Sequence, residues 1–130
     1  MAALSDFAEK LCLDFLMNTQ TATRPTTWFV ALFTAAPNDA GGGTELSGNG
    51  YAREAVTFDA VSSGAGTTQN AGLVSFTAAG GSWGSVTHIG IFDAVSTGNL
   101  LMHGIMGTAR TVNDGDDLEF AIGDIDLSLA

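Results

Sequence analysis

A chain of 130 residues and 13.3 kDa has room for one compact domain, because two halves of that size would each be short of core. A hydrophobic content of 45% against 14% charged residues excludes wholesale disorder. The 14 acids against 4 bases leave a net charge of −10, which repels phosphate backbones and anionic lipid, so neither nucleic acid nor a membrane surface is expected as a partner.

No apolar run approaches the roughly 20 residues that cross a bilayer. The opening MAALSDFAEKLCLDFL carries acids where a secretory signal would carry bases. Cys12 is the single cysteine, so no internal disulfide framework exists and folding in a reducing cytoplasm is expected.

Residues 5–17 form the one convincing helix pattern. Ser5 is a good N-cap, Asp6 and Glu9 suit the positive end of the helix dipole, and Phe7, Leu11 and Phe15 recur at i, i+4. Leu4, Ala8, Cys12 and Leu16 widen this stripe to about half the circumference, leaving Asp6, Glu9, Lys10 and Asp14 as the polar side. So wide a stripe requires a cover, either the domain itself or a neighbouring chain. Asn18 to Thr26, rich in Thr and ending in Arg-Pro-Thr, reads as an extended connector.

From Trp28 the apolar period changes from 3.6 to 2. WFVALFT (28–34) is a continuous apolar run of strand length, as expected of a buried central strand. PNDAGGGTELSGNG (37–50) is rich in turn residues, and YAREAVTF (51–58) alternates like a strand. VSSGAGTTQNAG (61–72) reads as a small-polar loop before a short strand, LVSF (73–76). SWGSVTHIGIFD (82–93) sets Val86, His88, Gly90 and Phe92 on one face and Thr87, Ile89 and Ile91 on the other. The turn AVSTGN (94–99), the strand NLLMHGIMG (99–107), TARTV (108–112) and the turn NDGDD (113–117) follow. LEFAI (118–122) and IDLSL (125–129) complete the chain.

Seven or eight short strands at about 8–12-residue spacing predict an all-β fold, an antiparallel, jelly-roll-like β-sandwich preceded by one short α-helix. Residues 1–26 are then the helix and connector, and 27–130 the sandwich domain. No second helical pattern separates the strands, which excludes a βαβ architecture.

The chemistry-bearing residues are sparse. Asp114, Asp116 and Asp117, with Asp124 and Asp126 nearby, supply the oxygen ligands calcium takes, but the loop lacks the EF-hand glutamate and helix pair. Asp-Gly between two β-runs also reads as a plain hairpin turn, the preferred reading. His88 and His103 lack a third ligand at suitable spacing and read as core or interface histidines. Cys12, on the apolar helix stripe, reads as a buried small hydrophobe. Gly41–Gly43 and Gly48-Asn-Gly50 lack the strand-then-helix context of a phosphate cradle and read as turn glycines. The segment 111–130 holds six acids and no base, yet no carboxylate pair is singled out. Arg24, Arg53 and Arg110 are expected to pair with carboxylates of this domain or of a neighbouring subunit. No catalytic constellation emerges, so no enzyme, no cofactor and no metal are expected.

WFVALFTAAPNDAGGGTELSGNGYAREAVTF (28–58), SWGSVTHIGIFDAVSTGNLL (82–101) and VNDGDDLEF (112–120) resemble a small family of tailed-bacteriophage virion proteins. Its members begin with a short helix and carry phrases close to ALFTxAPxDAGGGTExSGxGYAR…VTF and SWGxVTHxGIFDAxxxGNLL. The resemblance covers nearly the whole chain and implies a non-enzymatic structural part of the virion, assembled in the bacterial cytoplasm, with no catalytic residue to carry over.

Two virion roles follow from it. A single small domain without fibrous repeats favours a capsid decoration (cement) protein, a homotrimer or other homo-oligomer that braces the head shell against the major capsid protein. The alternative is a tail-fibre or tail-tip component involved in host attachment. A third reading, a carbohydrate-binding β-sandwich module, requires exposed aromatics, for which Trp28, Trp83 and Tyr51 are the candidates. The expected docking element is the helix face of Leu4, Phe7, Leu11 and Phe15, or the connector 18–26.

Overall fold

The computed structural model describes residues 2–61, 64 and 66–129. Its elements in chain order are β1 (Ala2–Leu4), α1 (Asp6–Met17), β2 (Phe29–Ala35), β3 (Thr44–Glu45), β4 (Glu54–Ala55) and β5 (Thr67–Gln69), then β6 (Val74–Thr77), β7 (Gly84–Phe92), β8 (Leu100–Val112), β9 (Asp117–Phe120) and β10 (Asp126–Ser128). The fold is an antiparallel β-sandwich with one short N-terminal helix. One layer is a six-stranded sheet in the order β1-β8-β7-β2-β3, with β4 also pairing β2; facing it are two ribbons, β6-β9 and β10-β5.

The run 29–33 becomes the doubly covered strand that its unbroken apolarity predicts. Val30, Ala31, Leu32 and Phe33 are all buried, with Val30 and Leu32 in the core between the layers and Phe33 stacked on Phe92. The core joins them to Val86, Ile91 and Val112 from the large sheet and to Val74, Phe76, Leu118, Phe120 and Leu127 from the ribbons. In β6 and β9 burial alternates strictly, the pattern of strands wet on one side.

The structure departs from the sequence reading in four places. Val86 does not share a face with His88 and Gly90: it lies in the core with Ile91, because the β7–β8 register slips between Val86 and His88. Opposite that slip β8 carries extra residues, so β-period counting fails across it. The segments 99–107 and 108–112 are one strand, β8, which bulges rather than breaks. Of Tyr51–Phe58 only Glu54–Ala55 pairs as strand; Tyr51 and Arg53 bond Glu45 through their side chains, and Phe58 makes an isolated bridge to Asn70. Finally, Ala2–Leu4, Thr44–Glu45 and Thr67–Gln69 are strands of two or three residues, too short to show any alternation.

Gly43 shows why the triple glycine follows β2. Its φ is +76°, and a Cβ there would lie 2.7 Å from the Pro37 nitrogen and 2.8 Å from the Ala35 carbonyl oxygen. No other residue fits a left-handed backbone against that close approach.

Candidate assembly surface

Ser5 anchors the helix. Its hydroxyl accepts from the Ala8 N–H at 3.1 Å as an N-cap and donates to the Leu100 carbonyl, while its own N–H reaches the Leu101 carbonyl at 2.9 Å. The Asp6 N–H meets the Asp39 carbonyl at 2.9 Å, and the Asp39 carboxylate meets His103 Nε2 at 2.8 Å, so the helix start, the loop after β2 and strand β8 are tied together. Leu4 lies before this anchor, in β1 opposite Met102, and so belongs to a strand and not to the helical stripe.

Beyond the first turn the helix loses its cover. Ala8 is its buried residue, Leu11 and Cys12 are half-buried, and Phe7 is 39% exposed. The last turn leaves the body altogether: Leu13, Phe15, Leu16 and Met17 are 59%, 70%, 68% and 75% exposed. The four residues of the expected docking face thus divide, Leu4 and Leu11 half-buried against the body, Phe7 just exposed and Phe15 in the open. Four large apolar side chains are thus open around one helix end, Phe15 and Leu16 on the side that faces the connector, and exposed apolar surface of this kind marks an interaction site. The helix end is well formed despite its exposure: Asp14 bonds Lys10 and Asn18, and these two bonds hold its carboxyl below the ordinary carboxylate value.

A groove of about 230 Å³ runs beside that patch, between the helix and the connector, lined by Leu11, Cys12, Phe15, Leu16, Ala22 and Arg24. A second apolar hollow, about 380 Å³, opens under the helix where Trp28, Phe58 and Leu127 meet Ala8 and Leu11. A third, about 400 Å³, separates β7 and β8 from β9 and β10; it has an apolar floor that includes Ile89, Ile91 and Met106, and acids at its margin.

The acidic loop is built as a turn. Asp116 accepts from the Asn113 N–H at 3.0 Å, Asp114 from the Gly80 N–H at 3.0 Å, and Asp117 from the Thr77 hydroxyl at 2.6 Å. The three carboxylates therefore serve three different partners, and among the described residues no group of three His, Cys, Asp or Glu side chains is placed to hold a metal. The aromatic candidates are likewise occupied. Trp83 is buried and donates to the Asn49 carbonyl at 2.9 Å, Tyr51 lies edge-on to it, and Trp28 packs half-buried on the core. Trp83 and Tyr51 are thus taken up by the core, and Trp28 lines the apolar hollow under the helix. His88 and His103 do not oppose each other: His88 is registered with Ile105 and His103 with Gly90. Among the described residues no helix is long and apolar enough to cross a membrane.

A sequence model of the family described as Podophage GP4 fiber I protein gp80 matches residues 3–128. The chain belongs to this family. No curated protein matches the sequence. Membership makes the chain a structural protein of a phage virion, and the matched span covers α1 and every strand from β2 to β10 of this fiber I family member.

Two further clusters of this fiber I family member have partners that its sequence does not mark. Arg53 forks onto both Glu45 oxygens at 2.8 Å each, bonds the Ala94 and Thr97 carbonyls at 3.0 and 2.7 Å, and lies 3.6 Å over the Phe92 ring. The expected pairing of Arg53 is thus within the chain. Arg24 and Arg110, by contrast, form no ion pair among the described residues. Asn70, fully buried, donates to the Gly72 and Ala121 carbonyls at 2.8 and 2.9 Å and accepts from the Gly123 and Ile125 N–H groups at 3.1 and 2.9 Å. Its only signal in the sequence is an amide among small loop residues, with nothing to mark its partners about fifty positions away.

Proposed function

We propose that this chain is a non-enzymatic component of a phage tail fibre, built into the virion beside other virion proteins as a homo-oligomer that assembles through its N-terminal helix. The observation that carries the reading is the family match over residues 3–128 to proteins described as fiber I. It favours the fibre over head decoration, for which the chain has only its small size to offer.

The exposed last turn of α1 fits the role. A folded chain that leaves Phe15, Leu16 and Met17 at 68–75% exposure carries an apolar surface that assembly would cover. Burying large apolar side chains contributes about 1.5–3 kcal/mol each, and cyclic symmetry repeats the gain at every copy. The glycan-binding reading has no comparable support, since Trp83, Tyr51 and Trp28 are all packed.

Immunogold labelling of intact virions with an antibody to this chain tests the proposal. Gold confined to the tail end supports it. Gold spread over the heads returns the chain to shell decoration, and unlabelled virions reject both.

A further inference from the structure

The helix overhang and the cleft between β8 and β9–β10 complement each other, although they share no lining residue. The overhang presents Leu13, Phe15, Leu16 and Met17, and Arg24 stands beside it without a carboxylate partner among the described residues. A free guanidinium is conspicuous in a chain of net charge −10, where carboxylates outnumber bases 14 to 4. The cleft offers the converse: an apolar floor with Glu119, Asp124 and Asp126 at its margin against one guanidinium, Arg110. Glu119 and Asp126 make no side-chain hydrogen bond or ion pair among the described residues, so both remain available to an incoming cation. At about 400 Å³ the cleft has the size of a ligand site, enough to take large side chains from a helix end.

From this complementarity we infer that the occupant of the cleft is the last turn of α1 from a second copy of this chain, with Arg24 of one copy facing Glu119 of the next. The inference rests on the reading of the chain as a self-assembling fibre component, and it names the two surfaces that meet. The contact closes as a two-fold dimer if both copies exchange helix ends reciprocally, and as a ring or a filament if each copy docks on the next. Charge sets which copy fits which, since like charges opposed at this contact would oppose docking while the apolar residues supply the attraction.

Sedimentation of the full-length chain, with Arg24→Glu, Glu119→Arg and the double variant, tests the pairing. Both substituted residues are exposed, and an unchanged thermal melt verifies that each variant is folded. Each single reversal is expected to weaken assembly by about tenfold or more, and the double reversal to recover it. Assembly that ignores either single reversal, or a double variant no better than the singles, overturns the pairing.

A cross-link separates this contact from a symmetric helix–helix one. In a Cys12→Ser background, Phe15→Cys and Ile105→Cys protomers carrying different tags are co-expressed and oxidised, Ile105 being exposed at the cleft. A disulfide between the two differently tagged chains is expected. Disulfides between two Phe15→Cys chains, or a purely monomeric wild-type protein, overturn the inference. Neither result bears on where gold labels the virion, so the fibre reading stands or falls separately.

Discussion

Ala8 and Phe15 lie seven residues apart on one face of α1, and the rest of the chain covers only the first: Ala8 is 6% exposed and Phe15 70%. Two turns of helix bring the same face round again, so a stripe that begins against the body continues past its edge. The helix is held at its start by Ser5 and Asp6, whose bonds to Leu100, Leu101 and Asp39 do not depend on what its far end touches.

Phe15→Asp combined with Leu16→Asp is therefore expected to leave the fold intact while abolishing self-association. Exposed substitutions usually shift stability by no more than about 0.5 kcal/mol, so the melting temperature should move by about 2 °C. Ala8→Asp, which forces a charge against the body, should unfold the N-terminal segment or the whole protein. Calorimetry beside light scattering reads both. Loss of the melt in the Phe15/Leu16 variant would assign the helix end to the domain's own core.

Asn70→Leu is expected to be among the most damaging single substitutions. The four partners of the carboxamide are backbone groups of the loops at 70–72 and 121–125, and leucine satisfies none of them. Each buried group left unpaired costs about 1–3 kcal/mol, so the melting temperature should fall by about 10 °C or more. A urea midpoint within error of the wild type would show that water replaces the amide without loss.

Comparison of these residues explains what the sequence could express. The helix was readable because Ser5, Asp6 and Glu9 act within one turn, and Phe29–Phe33 because an unbroken apolar run has one favourable environment. The acidic turn at 113–117 shares that locality, Asn113 bonding Asp116 three residues on. Ala2–Leu4 is different: its pairing partner, Met102–Gly104, lies about a hundred residues away, and three small or apolar residues carry no period of their own. Asn70 and Arg53 belong to the same class, since long-range contacts decide their roles. The docking face was half-legible. Its apolar stripe can be counted from the sequence, but where the body stops covering it, between Leu11 and Phe15, depends on how β1 and β8 seat the helix.

The Glu45–Tyr51–Arg53 cluster should give stability a pH dependence at both ends. Burial raises the Glu45 carboxyl, but the bonds from Arg53 and Tyr51 outweigh it and hold the group below its ordinary 4.5. Its contribution is therefore present above that value and lost as the pH falls through the lower, folded one. Tyr51 runs the other way. Burial, and then the hydrogen bond to Glu45, push the phenol well above its ordinary 10.0, so its contribution is complete below that value and lost as the pH rises further. Glu45→Gln should be less stable than the wild type at neutral pH, with the gap closing between about pH 5 and pH 3. Urea midpoints measured across that range decide it; a gap constant with pH would remove Glu45 from the acid transition.

The turn at Asn113–Asp117 makes the opposite kind of prediction, an absence of response. Asp114, Asp116 and Asp117 are each engaged by a different donor, from Gly80, Asn113 and Thr77, and a calcium ion would have to draw all three away from them. Calcium binding asks for six to eight converging oxygens, and three carboxylates facing separate ways supply no such cage. Melting curves in millimolar calcium and in EDTA should therefore superimpose, whereas Asp116→Ala should lower the melt by removing the bond that closes the turn on Asn113. Losing a side-chain to backbone bond in an exposed turn costs about 1 kcal/mol, or about 4 °C for a chain of this size. A calcium-dependent rise in the wild-type melt that vanishes in Asp116→Ala would mean that the loop reorganises around the ion, and would give these acids a role beyond the turn.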